Sequence, residues 1–415
     1  MDGSKFVIAG GGMVAGYAAK QLVEMGMNSG ELVIISSDGS LPYERPPLSK
    51  GFLAGKDSAE SIRINPEKFY HDHGIDIRLG RRVTRLDASR KRLTLDDGRE
   101  FSFEKLVLAT GARARALPTP ASNWADILYL RSLRDSTAIR ERSNGAKRAV
   151  IIGGGFIAME VASVLAQKPI ETTMVVREDR VWKSFFTPEM SRFFEGYFSA
   201  RGVRFAKNVE IAGWKNTGGR TSVELSDGRS VESDLVVAGV GAQPATELAE
   251  SAGIPVENGI TVNEYLETAV PGVLAAGDIA NYPDLLFHKR RRVEHWDNAV
   301  TQGQHCAKVL MGERTPFRHV PYFFSDVFDL SYEFWGDPAD ARQTVTRGDA
   351  AGNSFSVWWL QEGAVKAAFV MNRPEEERNV APEWIEAGRR VLAETLADSS
   401  RPIAEAAETV RKAGS

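Results

Sequence analysis

Short apolar runs that end in glycine recur along this chain, and one of them is written twice. Val7 to Leu22 reads VIAGGGMVAGYAAKQL, and Val150 to Leu165 reads VIIGGGFIAMEVASVL. In register, Gly10 matches Gly153, Gly12 matches Gly155, Ala15 matches Ala158 and Leu22 matches Leu165. Each copy predicts a buried strand, a glycine turn and a helix with small residues on its first turn. Each is followed by a second apolar strand, Glu31 to Ser36 and Thr172 to Val176, which completes the start of a βαβ unit. Three further runs, FEKLVLATG (Phe103 to Gly111), DLVVAGVG (Asp234 to Gly241) and VLAAGD (Val273 to Asp278), also read as buried strands that end at a turn. Their order places the second unit as an insertion in the first, with the chain returning near Gly241. Past about Val320 the pattern becomes aromatic alternation, in Tyr322 to Trp335 and Phe355 to Trp359, which predicts antiparallel strands of a separate domain. From Pro382 onward the sequence predicts an amphipathic helix and a polar tail.

The doubled turn has a chemical reading. The pyrophosphate of a dinucleotide must come close to backbone amides at a helix N-terminus, where N–H groups and the helix dipole favour negative charge. A side chain at either of the first two glycines would hold the phosphates off, and a small third residue lets helix and strand pack tightly. One such turn is a weak signal; two, each after a strand, form a specific one. Past its second strand the first unit carries Asp38, whose carboxylate can accept from ribose hydroxyls and would repel a 2′-phosphate. An ordinary turn aspartate beside Gly39 is the competing reading.

At 415 residues the chain is long enough for two or three domains. A net charge of -3 argues against a general nucleic-acid binder, and no apolar run is long enough to span a bilayer. The first apolar stretch runs straight into Gly10-Gly11-Gly12, as a strand and turn do, so a cytoplasmic chain is expected. The one cysteine, Cys306, cannot form an intrachain disulfide or a two-cysteine redox centre, so any electron relay would have to run through a bound cofactor. Its apolar helical neighbours, Ala307, Val309 and Leu310, point to a buried inert thiol.

Leu41 to Lys50 reads LPYERPPLSK. With LVLATG, VLAAGD, RRVEHW and PYFFSDVFDLSYEFWGD, it resembles the glutathione-reductase-like ferredoxin reductases, monodehydroascorbate reductase and apoptosis-inducing factor, over nearly the whole chain. The resemblance implies an α/β fold of two Rossmann-like dinucleotide-binding domains, the second inserted in the first, plus a C-terminal α+β cap or interface domain. FAD would belong to residues 1–115 and 242–320, NAD(P)H to 116–241, and the interface domain to 321–415, in a monomer or homodimer. It implies that Gly10, Gly12, Ala15, Asp38, Arg45, Lys50, Val83, Thr110, Gly111 and Arg131 line FAD, and that Asp278 holds its ribityl chain. Glu294, His295 and Trp296 would cover the pyrimidine end, the following helix aiming its positive N-terminus there. Lys50 and Glu160 would form an ion pair where the nicotinamide stacks.

The second unit would take the nicotinamide nucleotide with Gly153, Gly155, Phe156, Ile157, Glu160 and Gly241. Arg177 and Lys183 resemble the basic pair that glutathione reductase aims at an NADP 2′-phosphate, which leans toward NADPH; Glu178 matches a ribose-binding glutamate that favours NADH. The acceptor has three readings. Monodehydroascorbate reductase is nearest overall, yet its substrate-holding arginine and tyrosine are Val300 and Phe324 here. The ferredoxin reductases place an aromatic at 324, and the run Lys289, Arg290, Arg291 and Arg292 would give a docking face for an acidic iron–sulfur protein. A redox-sensing flavoprotein like apoptosis-inducing factor is the third. The sequence favours the ferredoxin reading.

Overall fold

The structure is a computed structural model that describes residues 2–117, 127–217 and 220–407. The first apolar run forms strand β1 (Asp2–Ala9), and the glycine turn leads into helix α1 (Met13–Glu24). Strand β2 (Leu32–Ile35) then pairs parallel to β1, with Phe6 opposite Leu32 and Ala9 opposite Ile35. On the other side of β1 lies β3 (Glu100–Leu108), again parallel, so the strand order reverses direction between β1 and β3. That reversal opens a crevice at the carboxyl ends of the strands, where open α/β sheets place their ligands. Two antiparallel strands, Arg92–Leu95 and Val83–Asp87, extend the sheet beyond β3, and Asp76–Arg78 extends it beyond β2.

After β3 the chain leaves through Ala112–Ala114 and returns through Ala242–Pro244, and these segments pair antiparallel, Ala112 opposite Pro244. Between them it builds a second parallel sheet. Strand β4 (Arg148–Ile152), helix α2 (Phe156–Ala166) and strand β5 (Glu171–Val176) repeat the opening motif, and β6 (Leu235–Ala238) pairs with β4 where β3 pairs with β1. Strand β7 (Val273–Ala275) then pairs with β3, closing the insertion. Helix α3 (Trp296–Leu310) packs along α1. Lys105 caps its last turn by donating to the Val309 and Leu310 carbonyls, a cation where the helix dipole is negative. Cys306 on α3 is fully buried, and burial pushes its thiol pKa up, as expected of an inert thiol.

The chain divides into two compact units. One holds residues 1–181 and 197–318; the other holds 182–196 and 319–415. The second unit is a five-stranded antiparallel sheet in the order β8 (Tyr322–Val327), β9 (Leu330–Gly336), β12 (Ala364–Met371), β11 (Ser354–Gln361), β10 (Gln343–Asp349). The aromatic alternation predicted it: Phe334, Trp358 and Phe369 are buried, and Phe323 stacks on Phe334 at 5.0 Å. Trp182, Phe186 and Phe194, from the middle of the chain, join Tyr332 and Phe369 in the same aromatic cluster. The C-terminal helix α4 (Glu375–Glu386) starts seven residues before the predicted position, with Pro382 inside it. Pro374 and three glutamates on the first turn set that start, and Pro382, inside the helix, removes one N–H donor and crowds the carbonyl one turn back. The expected polar tail lies, from residue 408, outside the described residues.

Candidate functional site

The two glycine turns are superposable in their hydrogen bonding. Gly10 donates its N–H to the Ile35 carbonyl (2.8 Å) and Gly153 to that of Val175 (2.9 Å), each at the end of the second strand of its unit. Both have left-handed φ, +130° and +120°, and a β-carbon would sit 2.1 Å from the Ala109 oxygen or 2.3 Å from that of Gly239. No other residue fits there. The third positions, Ala15 and Ala158, are buried against the strands. The second positions are open: a β-carbon at Gly12 would meet only the Arg45 guanidinium at 3.7 Å, and one at Gly155 would meet nothing within 4 Å. Both turns therefore keep clear the space that a pyrophosphate needs.

Beside the first turn the structure gathers the predicted basic and acidic groups. Arg131 donates to an Asp278 carboxylate oxygen at 2.5 Å, and Arg45 donates to the Arg131 carbonyl. Burial, and then the neighbouring Arg131 guanidinium, lower the Arg45 pKa. The Arg131 Nε is buried with no hydrogen-bond partner, and Arg131 Nη2 lies 3.3 Å from where a Gly111 β-carbon would be. Two guanidiniums side by side, one with an orphaned donor, fit a polyanionic ligand. Asp278 sits on a 3-10 turn whose Gly277 N–H is held by Gln302. Asp38 is only half committed: Tyr43 donates to one carboxylate oxygen (2.9 Å) and the Ser40 amide to the other. Burial raises the Tyr43 hydroxyl pKa to about 12. Thr110 donates to the Ala245 carbonyl at the crossover, and Val83 opens the edge strand of the first sheet, half-buried.

The predicted Lys50–Glu160 pair is present at 2.7 Å, with both side chains largely withdrawn from solvent. Sequence reading missed its third member, Ser49, whose hydroxyl donates to the other Glu160 oxygen. At the start of α3, His295 is the N-cap, and burial lowers its pKa to about 4. Trp296 donates its indole N–H to Glu44, which also accepts from the Tyr17 hydroxyl. Ser49, Tyr43 and Glu44 all lie inside LPYERPPLSK; the motif announced the loop but not which of its polar side chains turn inward.

Around the second turn the surface is more open. Ile157 is an exposed apolar side chain at the start of α2, with Phe156 half-buried beside it. Arg177 is exposed and bonded to Glu178 through two donors (2.9 and 3.2 Å), with Glu210 4.0 Å away. Gly241 accepts from the Arg115 amide where the chain returns. Lys183 and Phe324 belong to the second compact unit, where Lys183 is exposed and Phe324 packs at 6.3 Å from Tyr322. Val300 is a buried core residue on α3.

The run Lys289 to Arg292 differs from expectation. Lys289–Arg291 is a strand paired with Ala280–Asp284. Arg290 donates to the Val262 and Asn281 carbonyls; Arg291 pairs with buried Asp284 at 3.0 Å; Arg292 donates to the Asp278 carbonyl and to Glu294. Three of these cations bond within the fold, and Arg290 stays exposed while doing so. Glu294 is correspondingly tied to Arg292.

The family described as pyridine nucleotide-disulphide oxidoreductase matches residues 4–303, and the reductase C-terminal family matches 322–407. The chain is 38% identical over 394 residues to peroxisomal monodehydroascorbate reductase 4 of Arabidopsis thaliana, covering 90% of this chain and 80% of that one. It is 35% identical to the monodehydroascorbate reductase of Solanum lycopersicum, covering 91% and 93%. Among solved structures, the ferredoxin reductase for the CYP199A2 system of Rhodopseudomonas palustris superposes with a TM-score of 0.93 at 34% identity, covering 98% and 100%. Putidaredoxin reductase, in a covalent complex with putidaredoxin, gives 0.92 at 32%, covering 97% of each. Among the described residues no helix is long and apolar enough to cross a membrane. The chain belongs to the pyridine nucleotide-disulphide oxidoreductase family, as an NAD(P)H-dependent flavoprotein oxidoreductase with FAD as its second cofactor.

Proposed function

We propose that this oxidoreductase delivers electrons from NAD(P)H, by way of FAD, to a ferredoxin-type iron–sulfur protein. Bound FAD would supply the conversion of a two-electron hydride donor into single-electron steps. In this reading residues 1–115 and 242–320 hold FAD, 116–241 hold the nucleotide except for 182–196, which fold with the C-terminal unit, and 321–415 form the interface domain. Gly10, Gly12 and Ala15 present backbone amides to the FAD pyrophosphate, while Arg45 and Arg131 balance its charge. Asp38 keeps acceptor capacity for the adenosine ribose, Asp278 serves the ribityl hydroxyls, and Thr110, Gly111 and Val83 line the remainder. The N-terminus of α3, with His295 and Trp296, faces the pyrimidine end, where its dipole favours negative charge. Gly153, Gly155, Phe156, Ile157 and Gly241 take the nicotinamide nucleotide, with Glu178 on the adenosine ribose and Lys50 and Glu160 placed for its reactive end.

The acceptor assignment rests on one observation. At position 300, where the radical-reducing relatives are expected to carry an arginine, this chain buries a valine in the core of the first unit. A small anionic acceptor would find no guanidinium there. Reduction of a small radical is the second reading, favoured by the 38% identity to monodehydroascorbate reductase 4. Rapid mixing of the NADH-reduced enzyme with a ferredoxin and, separately, with ascorbyl radical decides between them. Faster reoxidation by the ferredoxin supports the proposal; vigorous reaction with ascorbyl radical and none with ferredoxins reverses it.

A further inference from the structure

We propose that Ser49 is the positioning residue of the Lys50–Glu160 pair, fixing the Glu160 carboxylate so that Lys50 is held in one place; this rests on the role given to that pair above. Glu160 lies on the first turn and a half of α2, in the inserted sheet system, and is 4% exposed. Its two carboxylate oxygens are taken by consecutive residues of a segment belonging to the first: Lys50 Nζ donates to Oε1 at 2.7 Å and the Ser49 hydroxyl to Oε2. A single ammonium on a four-carbon stem is a point contact and leaves a carboxylate free to rotate. Two donors on opposite oxygens remove that rotation.

Ser49 itself is fixed. It is 2% exposed and closes the 3-10 turn Pro46–Ser49, whose first two residues are prolines with preset φ. The preceding carbonyl, Leu48, accepts from the Ser136 hydroxyl at 2.7 Å, which anchors the turn from the helix Leu133–Ser143. The hydroxyl therefore reaches Glu160 from a rigid base, whereas Lys50 reaches it on a flexible stem. Without the hydroxyl, one oxygen of a buried carboxylate loses a donor, and such an oxygen turns toward whatever donor or water it can find. Because Glu160 sits on α2 and Ser49 on the first sheet system, the same bond also sets how the two cofactor-binding halves meet at this point.

The test uses the FAD-loaded enzyme with Ser49→Ala, Ser49→Thr and Glu160→Gln. Stopped-flow reduction by NADH should show a limiting rate about tenfold lower in Ser49→Ala, the size of one hydrogen bond to a charged group, with nucleotide Kd changed less than about twofold. Ser49→Thr, which keeps the hydroxyl, should recover most of the rate. Independently of turnover, the Glu160 carboxylate stretch, isolated as the infrared difference between wild type and Glu160→Gln, should shift and broaden in Ser49→Ala. An unchanged band and rate in Ser49→Ala, with Glu160→Gln impaired, overturns the positioning role alone. A Glu160→Gln enzyme that is reduced at the wild-type rate overturns the reading of the pair itself. Loss of rate in Ser49→Ala that Ser49→Thr does not recover, with the band unmoved, means a packing effect and also overturns the proposal.

Discussion

At Gly12 an added β-carbon would meet the Arg45 guanidinium, whereas at Gly155 it would meet open space. The same contrast runs outward from each turn. Around the first, Arg45, Arg131, Asp278 and Tyr43 are drawn in, and one guanidinium nitrogen is left without a partner. Around the second, Arg177 and Glu178 stand at the surface, paired with each other, and Ile157 is exposed. One backbone device is thus set once in a basic, enclosed surround and once on an open rim. The first suits a cofactor that stays; the second suits a nucleotide that must leave after every turnover. What differs is the company of the turn, and most of that company, Ile157 apart, comes from residues well away in sequence.

The largest effect should come from filling the second glycine of each turn. Gly12→Glu should yield protein that purifies without flavin absorbance. Gly155→Glu should stay yellow and lose reduction by NADH at least a hundredfold at low nucleotide, since charge and bulk then oppose the pyrophosphate. Two colourless variants would erase the proposed difference. Acid should reach the enclosed half next. Burial holds His295 near pKa 4, below its unfolded value of about 6.5, despite Asp278 and Asp297 nearby. A base whose folded pKa is depressed contributes stability that is present above the unfolded pKa and is lost as pH falls through the folded one. Thermal scans of the holoenzyme should therefore show Tm declining from pH 6.5 to 4, by up to about 1.4 kcal/mol of stability per unit from this group. A Tm that is flat over this window means His295 is solvated.

Arg131→Met should weaken FAD retention by about thirtyfold, roughly 2 kcal/mol, because it strands the largely buried Asp278 carboxylate as well as removing a cation. Dialysis followed by flavin absorbance measures this, and unchanged retention would place Arg131 outside the FAD site. The smallest effect concerns nucleotide choice. In the free structure a 2′-phosphate has to compete with Glu178 for Arg177. Glu178→Gln should raise the kcat/KM ratio of NADPH over NADH by about tenfold, one charge-assisted contact. An unchanged ratio would show that neither side chain touches the ribose.

The parts of this arrangement that were legible in the sequence are those where backbone geometry admits one residue type. Gly10 and Gly153 could be read because any β-carbon collides with a neighbouring strand, and the α/β class followed from the strands flanking them. Lys50 and Glu160 were legible because each lies in a motif. Ser49 was not, since a serine looks the same whether it faces water or a buried carboxylate. The docking reading of Lys289 to Arg292 drew on charge alone, and charge alone does not reveal the carbonyls and Asp284 that Arg290, Arg291 and Arg292 bond within the fold. Trp182 to Gly196 joined the C-terminal unit through aromatic contacts across more than a hundred residues, which no local pattern encodes.

Cys306 turns the first unit into its own stopwatch. Its thiol is the chain's one cysteine, fully buried on the inward face of α3, the helix that starts at Trp296. An alkylating reagent can mark only molecules in which that helix has lifted. The labelling rate of native protein, divided by that of unfolded chain, gives the opening equilibrium directly. No engineered probe is needed, and every signal comes from one address. Ligands that bind the closed form should slow the clock by 1 + [L]/Kd, so the resident and the visiting cofactor can each be weighed by the silence they impose on a single sulfur.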